Sequence, residues 1–181
     1  MKKILLSIIL LSGISVYGQS VFIEKSGTAA FFSEAPLENI EAVHSSVNAI
    51  LNTKTNEVAF IVTIRGFKFE KELMQEHFNE KYMESDKYPK ATYTCSILDS
   101  IDWSVPGTYV VTSKGVLSLH GVEKEITEKG TFIVNGNKIS LQSEFKIAIA
   151  DYKINIPKLL FQNIADTVLV KLNANFEPFK K

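Results

Sequence analysis

Cysteine is almost absent from this chain, because Cys95 is the one thiol in 181 residues. An intramolecular disulfide needs two thiols and is therefore excluded. Cys95 falls at an apolar position of an alternating segment, which favours a buried, unreactive thiol over a reactive one. Packing alone must therefore hold the fold together.

An excess of either charge is also missing. The sequence has 20 lysines and arginines against 20 aspartates and glutamates, and its basic residues form no block. Proteins that bind polyanions carry a basic patch or stripe. Nucleic acid and anionic membrane surfaces are therefore poor candidate partners.

The motifs of common enzymes are absent as well. The chain has no G-x-S-x-G nucleophile turn, no G-x-x-x-x-G-K phosphate loop and no dinucleotide fingerprint. His44, His77 and His120 stand far apart, and none has the H-x-x-x-H spacing of metal ligands. We therefore predict a protein that is not an enzyme, with no catalytic residue, metal site or cofactor.

Two of the histidines have both a structural and a functional interpretation. His77 lies on an apolar helical stripe, where a neutral imidazole hydrogen-bonded at the edge of the sheet is favoured. His120 precedes Gly121 at a strand end, which favours a hydrogen bond in a turn or at the strand end. For both, the alternative is a polar contact to the headgroup of a lipid. Glu76, Glu80 and Glu84 recur on the opposite side of the helix and are typical of a solvated face.

The N-terminus has the pattern of an export signal. Lys2 and Lys3 precede an apolar run at residues 4–16, and Val16-Tyr17-Gly18 supplies small residues before Gln19. The run is shorter than the roughly 20 residues that span a bilayer. We therefore expect a signal peptide at residues 1–18, one domain at residues 19–181, and a periplasmic or secreted product. No cysteine lies near the cut, so no stable membrane anchor is expected.

Apolar and polar residues alternate along most of the remaining chain, which is the period of a strand with one buried face. This alternation predicts about eight strands, nearly all antiparallel neighbours. Gly115 marks a candidate bulge, and Asn135-Gly136 suits the type I′ turn of a hairpin. The strands are predicted at residues 21–32, 41–51, 57–67, 91–98, 108–119, 123–134, 138–150 and 167–176.

Residues 70–83 depart from the period of two. Leu73, Met74, His77, Phe78 and Tyr82 fall at helical spacing and predict an amphipathic helix across the sheet. Methionines on this face can repack against a ligand of variable shape, although they also suit an ordinary core. A shorter helical turn is predicted near residues 159–164.

A sheet of about eight antiparallel strands either closes into a barrel or splits into a sandwich. Residues 138–148 form a run of eleven, which spans roughly 36 Å at about 3.3 Å per residue. This length favours a tall barrel that can enclose a narrow apolar slot. A solid core built from the same side chains stays open as the alternative.

Two long segments resemble the YceI family. The first is Gly66-Phe67-Lys68-Phe69 followed by residues 73–92, and the second is residues 115–124, which resemble the pattern G-x-L-x-L-H-G-V-x-K. Residues 35–42 also fit, so the resemblance spans essentially the whole mature chain. It implies an all-β, elongated, eight-stranded antiparallel β-barrel, lipocalin-like, with one amphipathic α-helix.

The resemblance also implies a function. Members hold a polyisoprenoid or another long-chain amphiphile in an apolar tunnel, so we expect an exported binding protein for a polyisoprenoid, isoprenoid quinone or fatty-acid-like lipid. The candidate ligand-binding residues are Phe60, Val62, Phe67, Phe69, Leu73, His77, Phe78, Phe132, Phe145 and Ile147.

Two other functions stay open at this point. One is a structural or interaction domain of the cell envelope with a filled barrel, and the other is an enzyme or redox accessory acting on a bound isoprenoid. The oligomeric state is also open, with a homodimer as one candidate.

Overall fold

The computed structural model describes residues 20–34, 39–156 and 165–180. The predicted signal peptide and the helical turn predicted near residues 159–164 lie outside these ranges. The described part is built mostly of long strands whose inward residues are apolar and whose outward residues are polar. The nine strands there are β1 Val21–Ser33, β2 Ile40–Asn52, β3 Glu57–Thr63, β4 Lys68–Phe69, β5 Lys90–Ile97, β6 Gly107–Leu119, β7 Val122–Asn135, β8 Lys138–Ala148 and β9 Thr167–Pro178.

The strands form one sheet in the order β1-β9-β8-β7-β6-β5-β3-β2, and pairing of β1 with β2 closes it into a barrel. All of the strand pairs are antiparallel. The two-residue strand β4 adds to β2 beyond the end of β3. Closure pairs the edges of the sheet with each other. The predicted eight-stranded antiparallel barrel with one short helix is thus confirmed.

The strand predicted at residues 57–67 is interrupted. β3 ends at Thr63, a tight turn follows at Ile64–Gly66, and β4 then pairs with Ala42 and Val43 of β2. The ring of His44 on β2 lies directly against this turn at Gly66. Alternation of apolar residues continues past Thr63 to Ile64, so the strand pattern alone could not place the end of β3.

The predicted bulge at Gly115 is wrong, since β6 keeps its register there with both β5 and β7. A Cβ atom at Gly115 would overlap Thr94 O and the Cα of Cys95, so the glycine permits a close approach of β5 and β6. The irregularity lies instead in β1, where the register shifts around Gly27.

The helical segment is shorter than predicted. An α-helix, α1, runs over Glu72–His77, and a π-helical turn continues it over Phe78–Tyr82. No helix in the described ranges is long and apolar enough to cross a membrane.

β7 and β8 pair over only six positions, from Gly130 with Ser143 to Asn135 with Lys138. Beyond this point the two strands diverge, and the turn Ile149–Tyr152 that follows β8 contacts the start of β7. Lys124 Nζ lies 2.8 Å from Asp151 Oδ1, and the Tyr152 side chain is buried.

Candidate functional site: an apolar cavity under the helix

The barrel encloses a cavity of about 300 Å³ at the end that α1 covers. Its walls come from β1, β2, β3, β4, β5, β6, β8 and β9, and its cover from α1 and the π-helical turn. This volume lies at the lower end of the ~300–1,000 Å³ range of small-molecule sites. The barrel is therefore hollow at this end.

Four phenylalanines join the cover to the wall. Phe78 of the π-helical turn stacks on Phe31 of β1, with ring centroids 5.4 Å apart. It also lies 5.7 Å from Phe67 and 5.0 Å from Phe69. Aromatic pairs at these separations add to the stability that their burial supplies. The helical segment is thus attached to the barrel mainly through apolar contacts around Phe78.

The cavity wall is mostly aliphatic and aromatic. No lysine, arginine, aspartate or glutamate lines it in the part of the chain that the structure describes. Burial raises the pKa of the Tyr82 and Tyr93 hydroxyls, so both stay neutral at ordinary pH. The buried Ser33 hydroxyl accepts a hydrogen bond of 2.9 Å from the Ala165 N–H. Such a wall suits a hydrocarbon chain and disfavours a charged group.

The structure brings most of the predicted site residues to this cavity. Eight of the ten line it, namely Phe60, Val62, Phe67, Phe69, His77, Phe78, Phe145 and Ile147. They come from β3, β4 with the residue before it, the helical segment and β8. Their role in binding stays a prediction.

The other two predicted residues lie elsewhere. Leu73 is 61% exposed and does not line the cavity, because the inward face of the helix passes through Met74, His77 and Phe78, and Leu73 projects away from that face. Phe132 is buried, but it lines a second, smaller cavity deeper in the barrel. Its place in the main cavity is therefore corrected.

Sequence reasoning missed a larger part of the wall. The alternating apolar stripes of β6 and β9 carry some of these residues and could have identified them. The turn after β8 carries others, and there no period marked the inward side. The missed residues include Ala29, Phe31, Leu117, Leu119, Ile149, Ile154, Ile156, Val168, Val170 and Leu172.

His77 lies at the cavity, and its ring makes no hydrogen bond with any residue of the described ranges. The hydrogen bond expected for it at the barrel edge is therefore not found there. Metal binding has no support in these ranges, since no three His, Cys, Asp or Glu residues converge in them.

Contacts with three other residues hold the His120 ring in place. Its Nδ1 lies 3.0 Å from Tyr152 O and its Nε2 lies 3.1 Å from Glu84 Oε2. Its ring also packs against Tyr88, with centroids 4.5 Å apart. A hydrogen bond is thus present at this strand end, although its partners are distant in the chain and not in the turn. Glu84 is not on a solvated helix face, because the helical segment ends before it.

Comparison with known proteins agrees with this architecture. Residues 21–176 match the sequence profile of the YceI-like domain family. No curated protein sequence matches the chain.

Several solved structures share the fold. A polyisoprenoid binding domain from Saccharophagus degradans, implicated in plant cell wall breakdown, superposes with a TM-score of 0.74 at 17% identity, over 89% of this chain and 99% of that one. BcnA of Burkholderia cenocepacia gives 0.70 at 13% identity, over 82% and 95%. The YCEI protein of Campylobacter jejuni gives 0.58 at 15% identity, over 99% and 100%. At these identities, the likeness establishes a shared fold.

Proposed function

Because this chain belongs to the YceI-like domain family, we propose that it is a non-enzymatic protein that binds one long-chain apolar molecule inside its barrel. The observation that carries the proposal is the mostly aliphatic and aromatic cavity under α1. The polyisoprenoid named for the Saccharophagus degradans domain favours an isoprenoid over other chains.

Shielding the chain from water supplies the binding energy. Each buried methylene contributes about 0.8 kcal/mol. A chain with ten or more buried carbons therefore offsets the cost of association without any specific polar contact. The methionines of the cover, Met74 and Met83, line the cavity and can adapt to chains of different shape.

We propose further that the protein works outside the cytoplasm, after removal of residues 1–18, as a carrier or store of this lipid. A soluble barrel in the periplasm or outside the cell would keep such a molecule dispersed between membranes. Sequencing the N-terminus of the protein isolated from its own host tests this placement. Removal of residues 1–18 would leave Gln19 as the first residue.

The decisive experiment is to purify the protein from its own host, denature it and analyse the organic extract by mass spectrometry. We expect one long-chain species in stoichiometric amount. An empty extract, together with no uptake of added isoprenoid, would reject the carrier and favour a structural or interaction domain. Conversion of the extracted molecule by the protein would favour an enzyme.

Cavity-filling substitutions supply a matched pair. Ala91 lines the cavity on β5, whereas Ala59 lies between the inward residues Val58 and Phe60 and so faces outward on β3. The larger side chain of Ala91→Phe should displace about two buried methylenes of the ligand. The affinity for the ligand should therefore fall by roughly tenfold or more. Ala59→Phe should leave uptake unchanged. Equal uptake by both variants would place the ligand outside the cavity.

A further inference from the structure

A second cavity of about 30 Å³ continues the barrel interior beyond the main one. Phe60, Tyr93, Phe145 and Leu172 line both cavities, so the two adjoin. A space that holds one water needs roughly 10–15 Å³ by the same measure. The deep cavity therefore has room for one or two waters, or for the small end group of a chain that fills the main cavity.

Three hydroxyl-bearing residues, Tyr93, Ser113 and Ser143, are among those that line the deep cavity. Ser113 Oγ lies 3.2 Å from Glu128 O, and Ser143 Oγ lies 2.7 Å from Lys129 O. A carbonyl oxygen only accepts, so both serine hydroxyls donate their protons to the backbone of β7.

The direction of the remaining hydrogen bond follows from this. Tyr93 OH and Ser113 Oγ are 3.1 Å apart. Since the Ser113 proton is directed to Glu128 O, the Tyr93 hydroxyl donates to Ser113 Oγ. All three hydroxyl protons are then committed, and what these hydroxyls offer a ligand is oxygen lone pairs.

No cation balances this set of acceptors. The residues that line the deep cavity include neither lysine nor arginine within the described ranges. Burial raises the pKa of the Cys95 thiol, so this group stays a neutral, weak donor. Burial also raises the pKa of Glu128, which lies on β7 beside Ser113. A carboxylate or phosphate end group would find no counter-charge here.

We propose that the deep cavity is a subsite for the terminal hydroxyl of the ligand, so that the preferred ligand is a long-chain alcohol bound hydroxyl-first, with its apolar chain extending toward α1. Its O–H donates to the free lone pairs of Tyr93, Ser113 or Ser143. This inference rests on the proposed function, since it concerns the end group of the chain that the main cavity is proposed to hold.

The test compares three ligands with one chain and different ends: geranylgeraniol, which donates a hydrogen bond; geranylgeranial, which only accepts one; and geranylgeranoic acid, which is an anion. We expect the alcohol to bind about 2- to 10-fold more tightly than the aldehyde, which is the contribution of one hydrogen bond. The acid should bind more weakly than either.

Two serine variants on neighbouring strands sharpen the comparison. Ser113→Ala removes the acceptor of the Tyr93 hydroxyl, which is then free to donate, and the preference for alcohol over aldehyde should fall to about one. Ser96 lies on β5 and is exposed on the outer surface. Ser96→Ala should keep the full preference. Circular dichroism checks that both variants fold.

The fluorescence of Trp103 can show which end of the ligand lies in the deep cavity. Trp103 is the one tryptophan of the chain, and its ring lies 5.2 Å from Phe132, which lines the deep cavity. Geranylgeraniol brominated beside its hydroxyl should quench Trp103 fluorescence more strongly than the analogue brominated at its far end.

The outcomes separate the two proposals. If the alcohol and the aldehyde bind equally, or the far-end bromine quenches more, the subsite is rejected while the lipid-binding function stands. If none of the three chains binds, the inference fails together with the proposed function.

Discussion

The imidazole ring of His44 lies directly against the backbone of Gly66, so closely that a Cβ atom at Gly66 would overlap His44 Nε2. His44 is buried, its Nδ1 accepts a 3.0 Å hydrogen bond from the Ser46 N–H, and its ring packs edge-on against Phe67. The contact holds the corner where β3 gives way to β4. The same contact gives a structural reason for a glycine at position 66 and an aromatic residue at position 67, in the segment that resembles the YceI family.

Gly66→Ala should therefore lower the free energy of unfolding by about 1–3 kcal/mol, the usual cost of inserting a carbon into a packed site. Gly107→Ala is the matched control, because a Cβ there meets Tyr109 at 3.4 Å, an ordinary contact. We expect the control to change stability by less than about 0.5 kcal/mol in urea unfolding.

A double-mutant cycle assigns this cost to the histidine. In a His44→Ala background, Gly66→Ala should cost less than it does in the wild type, because the overlapping ring is gone. Additive costs would show that the strain at Gly66 has another source.

His120→Ala should destabilise the barrel by about 1–3 kcal/mol, since it leaves the buried Tyr152 carbonyl without its hydrogen bond. The loss should be local first: the amide of Tyr88, which donates to Glu84 O, should exchange with deuterium faster. His77→Ala, at a ring with no hydrogen bond in the described ranges, is the comparison and should cost less. Equal exchange in wild type and His120→Ala would contradict the role assigned to His120.

Glu24 should make stability depend on pH in the acid range. It is 6% exposed, and its carboxylate accepts hydrogen bonds from Lys25 N, Ser26 N and Asn175 N at 2.7, 2.6 and 2.5 Å. Burial acts to raise its pKa, but the hydrogen bonds from Ser26, Asn175 and Lys25 outweigh burial and hold the pKa below its ordinary value.

The sign follows from this lowered pKa. The contribution of Glu24 is fully present above the unfolded-state pKa of about 4.3, and it is lost as the pH falls through the lower, folded-state value. Urea unfolding from about pH 7 to about pH 3 should show Glu24→Gln with a flatter profile and about 1–3 kcal/mol less stability at neutral pH. The exposed Glu123→Gln should stay parallel to the wild type. A Glu24→Gln profile as steep as the wild type would show that other groups cause the acid loss.

His77→Leu should leave geranylgeraniol affinity within about twofold of the wild type, because the ligand hydroxyl is proposed to lie in the deep cavity and not at the cover. A fluorescence competition assay measures this. A loss of more than about tenfold would instead place the polar end of the ligand at His77.

Much of the fold could be predicted because a strand with one buried face has a period of two. The predicted bounds of β2 and β5 lie within one residue of the observed strands at each end. Four of the predicted wall residues reach the main cavity for the same reason, because alternation puts Phe60 and Val62, and likewise Phe145 and Ile147, on one face.

The rest depended on contacts between residues far apart in the chain. Leu73 and Met74 are equally apolar, and only the docking of Phe78 on Phe31 turns Met74 inward and Leu73 outward. Phe132 and Phe145 share the interior of the barrel, but their height along it decides that Phe145 reaches the main cavity and Phe132 does not.

By itself, the sequence determined which residues of each strand face inward, since that depends only on neighbours two positions away. It also carried the motifs around Gly66 and His120. Only the tertiary structure decided the pairing of β1 with β2, the break after Thr63 and the contact between the Tyr93 and Ser113 hydroxyls. These features follow from packing and hydrogen bonds between distant segments, which no local pattern encodes.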